Sequence, residues 1–386
     1  MTKHILEILQ KLPYTHEREG FMKLMIGEII GKHFDKIDKQ ISLVLSLLPA
    51  KKKIFPIKIN KSIEIVMVPN VDDVKAHRAD IGIILEEEKI LKILSKRYKN
   101  VSITEVNSEE DLEKLVMRKP DLVFSGVRYF YFNNRKIWLN DYLEIYDIPY
   151  IASSKAALDN ESDKGRAKKI MLGAKIKTAD FFITAPGNHL TELSIPIKFP
   201  LFIKPVTGGD SRGVDSNSIV YDFESFKAKV LDIKLKNNSD SLVETYLSGK
   251  EYSVGIFEDS SNGSLRAMPI EIIVKKNVNG HCILDFDVKE NDEEIVIAVT
   301  DIKIFNKLSR LAKDSFKAIG GKSLGRIDIK MNHRGIPHFM EANLMPGLRK
   351  GYFYRSCALN MGMSYDDMIL SIANTGLYSQ NGGYEK

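Results

Sequence analysis

The residues best suited to chemistry lie in one short stretch, GRIDIKMNHRGIPHFMEANLMPG (325–347). Arg326, Asp328 and Lys330 alternate, so on a strand they share one face. A turn near His333 to Gly335 makes a hairpin, with Asp328 opposite Glu341 and Arg326 opposite Asn343. A slip of two residues keeps all four on that face, because side-chain parity is unchanged. The ribbon therefore presents a guanidinium, two carboxylates and an amide together. A surface charge ladder would answer each carboxylate with an opposed Lys or Arg. Facing carboxylates plus an Asn oxygen instead suit Mg²⁺, which commonly keeps ligand positions for substrate phosphate. Arg326 beside that ion would bind a transferring phosphoryl group or a developing oxyanion. The alternative is an acidic solvated ribbon with an incidental arginine.

Three further motifs carry weaker signals. In FIKPVTGGDSRGV (202–214), Lys204 leaves a buried strand and enters a loop with Gly208, Gly209 and Gly213. Glycines let backbone N–H groups approach an anion, and the lysine adds a point charge. The loop is not a P-loop, since GxxxxGK[ST] is absent, and it would also serve as an ordinary hairpin turn. In LVETYLSGKEYSV (242–254), Glu244 and Glu251 flank a short linker. A backbone leaving a strand there can face an adenine edge, with Glu244 accepting from its amine and Glu251 bonding ribose. Two surface glutamates would read the same way. In SDKGRAKK (162–169), Lys164 and Lys168 sit one helical turn apart, as phosphate ligands or as a solvated face.

The elements that must position these residues are α/β in character. Residues 1 to about 50 show helical spacing, with Ile5, Leu9 and Leu12 and then Ile30, Ile37, Ile41, Leu45 and Leu48. Pro49 and the run Lys51-Lys52-Lys53 end that unit. From Ile63, strands at 63–68 and 121–127 alternate with helices within 79–98 and 109–118, and a short strand follows at 147–153. That order predicts a small, mostly parallel sheet with helices on its faces. Residues 161–174 read as one helix, with Ser162 at its N-cap and Gly173 at its end. Strands, a helix from Phe223, more strands to about Val299 and a long helix over 301–319 lead to the hairpin and a C-terminal helix near 365–374. The divisions expected are a helical extension (1–60), an N-terminal α/β domain (61–155), a central subdomain (156–243) and a C-terminal subdomain (244–386).

Composition sets the outer bounds. The chain has 386 residues, 44% hydrophobic and 28% charged, so it is globular with material for a large core. Lys and Arg number 57 against 51 Asp and Glu, and a net +6 suits an anionic small ligand better than nucleic acid. Cys282 and Cys357 lie far apart and read as reduced thiols of a cytoplasmic protein. The apolar run Ile41 to Ala50 is about half the roughly 20 residues a membrane span needs, and no signal peptide is evident.

In order and spacing, DKGRAK (163–168), IKP…G…S.GV (203–214), VETYLSGKE (243–251) and GRID…MEAN..PG (325–347) resemble the ATP-grasp superfamily, specifically its D-alanine–D-alanine ligase group. The resemblance covers about Ala79 to Leu377, roughly three quarters of the chain. It implies the ATP-grasp fold, in which two α+β subdomains clasp ATP behind an N-terminal parallel α/β domain. Lys168 and Lys204 would hold ATP phosphates, and Ser211 would belong to the same ATP site. Glu244 and the backbone of Tyr246 and Leu247 would read adenine, and Glu251 ribose. Asp328, Glu341 and Asn343 would bind two Mg²⁺ ions, with Mn²⁺ as a substitute. Arg326 would stabilise the acyl-phosphate and the tetrahedral intermediate, and Lys289 would face the γ-phosphate. The implied reaction is ATP-dependent amide formation from a carboxylate and an amine, and relatives that dimerise make a homodimer an option.

The amino-acid side departs from the family pattern. The glycine-rich stretch with its substrate-orienting glutamate is not found near 70–80, and the usual His-Gly pair is replaced by Gly126-Val127-Arg128. Asp210 stands for a serine of the substrate-side network, and Glu290 for the tyrosine after Lys289. After Pro346-Gly347, where the family has small hydroxyl residues by the substrate carboxylate, come Leu348, Arg349, Lys350 and Gly351. Asp210, Gly347, Arg349 and Lys350 are thus the candidate substrate residues, suited to an acidic or peptide-like partner. The expected activity is a carboxylate–amine ligase with an altered amino-acid site. The alternatives are an authentic D-alanine–D-alanine ligase, a nucleotide-binding regulatory module without ligase activity, and an interaction protein organised by residues 1–50.

Overall fold

The computed structural model describes residues 58–68, 81–209, 211–260, 262–276, 280–285, 288–289, 291, 293–349 and 351–379. The helices expected over residues 1 to about 50, and the stretch searched for the family's substrate-orienting glutamate, lie outside them.

The first sheet is parallel. Strand β1 (Ile59–Val66) lies between β2 (Tyr98–Thr104) and β3 (Leu122–Ser125). Ile63, Ile65, Leu122 and Phe124 are wholly buried, as strands covered on both faces require. Helices α1 (Glu87–Leu94) and α2 (Glu109–Met117) lie between the strands in sequence. Ser108 caps α2 by accepting from the Asp111 N–H at 3.2 Å. The expected strand at 147–153 is reduced to one parallel bridge, Val123 with Tyr150. A hairpin not foreseen, β4 (Tyr129–Phe132) with β5 (Arg135–Trp138), precedes α3 (Leu139–Ile145).

The single helix expected over 161–174 is two: α4 (Lys155–Ser162) and α5 (Lys164–Gly173). Asp163 rather than Ser162 is the cap, with φ −103° and ψ 104° and its carboxylate accepting from the Arg166 N–H at 2.9 Å. Ser162 instead closes α4 by donating to the Asp159 carbonyl. A carboxylate at this point also matches the dipole of the helix it opens. Lys164 and Lys168 remain one turn apart on α5.

Two antiparallel sheets follow. The four-stranded one has the order β6 (Phe181–Thr184), β9 (Ser241–Thr245), β7 (Leu201–Pro205), β8 (Ile219–Val220). Helix α6 (Phe223–Asn237) packs on it through Phe226, Val230 and Ile233 against Leu201, Ile203 and Val243. The five-stranded one runs β12 (Ile295–Ala298), β11 (Leu265–Ile273), β10 (Glu251–Glu258), β13 (Leu324–Met331), β14 (Pro337–Asn343). Helix α7 (Ile302–Ala318) covers it with Leu308, Ala312 and Phe316, which meet Tyr252, Val254, Ile327 and Ile329. The predicted long helix is thus present, opened by Asp301, which accepts from the N–H groups of Lys303 and Ile304.

The chain then returns to its beginning. Helices α8 (Tyr352–Met361) and α9 (Tyr365–Ser379) join the core of the first sheet, where Met368, Ile369 and Ile372 pack with Ile63, Ile65 and Phe124. Among the described residues no helix is long and apolar enough to cross a membrane.

Candidate active site

The β13–β14 hairpin has the register that parity and turn position predicted. Arg326 pairs with Asn343 and Asp328 with Glu341. Past Asp328 the pairing shifts, Ile329 meeting Phe339 and Lys330 meeting His338. Met340 is the extra residue of this bulge. Asn332 organises the turn, its side-chain oxygen accepting from the N–H groups of Arg334 and Ile336.

Arg326 grips Asp328 through two parallel bonds, Nε to Oδ1 at 3.0 Å and Nη2 to Oδ2 at 2.9 Å. Ser253 on the neighbouring strand donates to the same Oδ1 at 2.7 Å. The guanidinium carbon lies 5.4 Å from the centroid of the Tyr352 ring, within cation–π range. Burial alone would raise the Glu341 carboxyl, but Lys204, Lys164, Lys289 and Arg326 together pull it down to about 2. Charges from α5, β7, the segment at Lys289 and β13 thus converge on one carboxylate. The site is assembled from elements far apart in sequence.

A second cluster is buried beside it. Glu244 Oε1 pairs with Lys168, and its Oε2 lies 3.0 Å from Lys204 Nζ. Burial would raise Glu244, yet the two ammonium groups hold it below the usual carboxylate range. Burial pushes Lys168 down. Burial also acts to lower Lys204, but Glu244 and Glu341 more than offset it, so its net displacement is upward. Lys168 further donates to Thr178 Oγ1 at 2.5 Å, and that hydroxyl donates to the Phe339 carbonyl at 2.9 Å. Lys168 is therefore braced through Thr178 on the strand that carries Glu341.

The other candidates fall around these clusters. Glu251 bonds Lys330 at 2.8 Å across neighbouring strands. The Tyr246 N–H donates to the Pro200 carbonyl at 3.1 Å, and its ring lies edge-on to His281. Leu247 follows, just past the end of β9. Gly208 has φ +95°, with nothing near the place a Cβ would take, and its carbonyl accepts from Lys164 Nζ at 2.6 Å. Ser211, at φ +58°, donates to the Leu284 carbonyl at 3.0 Å, tying the glycine loop to the segment that bears Lys289. Gly347 and Arg349 are exposed, and the Arg349 charge bears on the Tyr365 hydroxyl. Asp210 and Lys350 lie outside the described residues.

Sequence reasoning passed over Glu161 and Tyr352. Glu161 is buried with Ala157 and Leu158 on the inner face of α4. Its carboxylate accepts from Arg128 at 2.5 Å and from the Leu344 N–H. A glutamate on the apolar face of a helix was the available signal. Tyr352 opens α8, a helix the periodicity did not reveal.

Comparison with known proteins agrees with this architecture. The model of the "D-ala D-ala ligase C-terminus" family matches residues 174–374, just over half of the chain. A D-alanine–D-alanine ligase of Aquifex aeolicus is 31% identical over 273 residues, covering 69% of this chain and 87% of the relative. That of Geotalea uraniireducens is 26% identical over 314 residues, covering 78% and 95%. In solved structures, the D-alanine–D-alanine ligase of Bacillus anthracis complexed with ATP superposes with a TM-score of 0.59 at 20% identity, covering 83% of this chain and 98% of that one. The VanG D-Ala:D-Ser ligase of Enterococcus faecalis gives 0.59 at 18% identity, covering 83% and 100%. The fold is the ATP-grasp fold, and the chain belongs to the D-alanine–D-alanine ligase family, ATP-dependent enzymes that form a C–N bond and release ADP.

Proposed function

We propose that this ligase joins an amino acid to a second amino acid or peptide-like acid through an acyl-phosphate, with an amino-acid site altered from that of D-alanine–D-alanine ligases. The observation that carries the chemistry is the convergence of Lys204, Lys164, Lys289 and Arg326 on Glu341. Such a field gathers anions and holds them in fixed positions. Lys168 and Lys204 hold ATP phosphates, and Glu244 keeps both lysines aligned. Because both Glu244 oxygens are engaged with lysines, an adenine amine must share them or rely on the backbone at Tyr246 and Leu247. Glu251 takes the ribose, releasing or sharing Lys330.

The donor chemistry of the hairpin fits magnesium. Among the described residues no three His, Cys, Asp or Glu side chains gather, so the set is two carboxylates and one amide oxygen. That is the partial shell of a hard ion completed by phosphate and water. Asp328, Glu341 and Asn343 would hold it, and bound there it would neutralise phosphate charge. Arg326 is positioned by Asp328 and Ser253, and it receives the negative charge that develops on the acyl carbon's oxygen. The γ-phosphoryl group passes to the carboxylate, the amine attacks, and inorganic phosphate departs. The buried surroundings exclude water from the acyl-phosphate.

The altered amino-acid site rests on Arg128, which stands where the resemblance calls for His-Gly and is engaged with Glu161. The test is ADP release with Mg-ATP against single amino acids and pairs, D-alanine included, followed by mass analysis. A condensed amide from a pair other than two D-alanines supports the reading. Efficient D-alanyl-D-alanine synthesis overturns the altered-site half, since the reaction for which the relatives are named would then be the whole account. ADP release by no pair, despite tight Mg-ATP binding, favours the regulatory module.

A further inference from the structure

We propose that Arg128 and Glu161 act as a positioning pair that fixes the Asn343–Leu344 peptide, and so the metal-facing end of β14. The proposal rests on reading the hairpin as the metal–nucleotide site.

The geometry joins segments far apart in the chain, around residues 128, 161 and 344. Arg128 is anchored in the N-terminal unit by both backbone polar groups: its N–H donates to the Ile81 carbonyl at 2.6 Å, and its carbonyl accepts from Leu139 at 3.0 Å. Its Nη2 reaches Glu161 Oε1 at 2.5 Å. Glu161 lies in the last turn of α4, just before Ser162 and Asp163, the cap of the helix that bears Lys168. Its other oxygen accepts from the backbone N–H of Leu344, directly after Asn343. The Glu161 side chain is 4% exposed, and the Arg128 side chain 19%.

A carboxylate taken this far from water is costly, and apolar residues of similar volume would often serve stability as well. What the ion pair adds is direction. One oxygen is held by a guanidinium, which leaves the other aimed at a single peptide N–H. The Asn343 side chain is held as well, its Oδ1 accepting from the Met345 N–H at 3.2 Å. Groups that orient metal ligands from behind typically govern affinity without touching the ion. Arg128 thereby links the placement of the N-terminal sheet to the placement of Asn343. It is a positioning residue acting through Glu161.

The test is Mn²⁺ affinity, measured by electron paramagnetic resonance with the non-hydrolysable analogue AMP-PNP, so that no amino-acid substrate is needed. Glu161→Leu and Arg128→Met should each weaken Mn²⁺ by about tenfold, the scale of outer-shell losses. Arg128→Lys keeps the charge and should lose less, about twofold, for want of the planar fork. Arg128→Met alone strands a buried carboxylate and is prone to misfold. The double variant Arg128→Met/Glu161→Leu removes both charges and should match Glu161→Leu, because the two residues form one chain of contacts. A folded double variant that binds Mn²⁺ as the native protein does, whatever its thermal midpoint, overturns the proposal. Failure of the native protein to bind Mn²⁺ with the analogue removes the metal–nucleotide reading and this proposal with it.

Discussion

Lys204 and Glu244 form an ion pair of 3.0 Å with side chains only 5% and 7% exposed, although forty residues of chain separate them. The same carboxylate also takes Lys168, so one buried anion serves two buried cations. The arrangement carries a surplus positive charge inside the protein. Such a surplus is expensive unless an anionic ligand completes it, and polyphosphate is the natural complement.

Glu244→Gln should therefore harm both stability and nucleotide binding. Two buried lysines would lose their counter-charge, which for a broken buried pair costs about 3 kcal/mol. Denaturant unfolding and ATP titration measure the two effects. The double variant Glu244→Gln/Lys168→Met should recover much of the stability without restoring ATP affinity. If Glu244→Gln leaves both quantities unchanged, the cluster is not the phosphate cradle.

Acid titration probes the hairpin in metal-free protein. The Glu341 carboxyl sits at about 2 in the folded chain against an ordinary 4.5. Its folded value is depressed, so the stability it contributes is fully present above the unfolded value. That contribution is lost as pH falls from roughly 5 toward 2. Glu341→Gln should flatten this part of the stability–pH curve, most clearly in the difference between variant and native protein. Parallel curves for the two would mean that the four cations do not act on Glu341 as described.

Which of these features the sequence disclosed follows from how local each one is. The hairpin face was legible because strand parity is local and the Asn332–Gly335 turn is short; even the Asp328–Glu341 register was accessible. The bulge at Met340 was not, since it answers to Phe339, which donates its N–H to the Lys177 carbonyl and bridges to Thr178 on a distant segment. The type of each α5 lysine was visible, but its counter-ion was not, because Glu244 comes from a strand 76 residues later than Lys168. Glu161 drew no notice because the sequence reading began a helix at 161, and only helix α4 places it on a buried face beside Ala157 and Leu158. The break at Asp163 was missed because two caps, Ser162 and Asp163, stand side by side and propensity alone does not choose between them.

Gly249 offers a purely steric test of the linker proposed to face adenine. A Cβ there would lie 2.6 Å from the Met331 carbonyl oxygen and 2.7 Å from that of Asn332, both backbone atoms with little freedom to yield. The Gly249 N–H also donates to Met331 at 2.9 Å, so the linker is stitched to the hairpin's turn. Gly249→Ala should cost about 1–3 kcal/mol, as overpacking does. It should also weaken ATP more than Mn²⁺. Native-like stability together with native ATP affinity would show that the linker relaxes freely and does not set the adenine position.

Arg349 tests the proposed substrate side. It is exposed and lies just past Gly347 in the chain. Once a substrate pair is known, Arg349→Ala should raise the amino-acid KM by about tenfold, the loss of one charge-assisted contact. The KM for ATP should stay nearly constant. Equal effects on both constants would count against a substrate role.

The two thiols give an independent reading of where adenine sits. Cys282 is exposed and Cys357 is buried. Burial pushes the Cys357 thiol far up, leaving it a poor nucleophile. A thiol reagent should therefore modify one cysteine in native protein and both only after unfolding. Cys282 also neighbours the residues proposed to hold nucleotide: its carbonyl lies 3.4 Å from Lys330 Nζ, the partner of Glu251, and its side chain bears on the Tyr246 hydroxyl. If adenine and ribose dock between Tyr246 and Glu251, Mg-ATP should slow Cys282 labelling by about tenfold or more, since a covered thiol must wait for the ligand to leave. Triphosphate alone, which fills the lysine cradle without a base, should protect far less. Equal protection by both ligands would mean that closure of the phosphate region, and not the base, shields Cys282. No protection by either would place the adenine elsewhere.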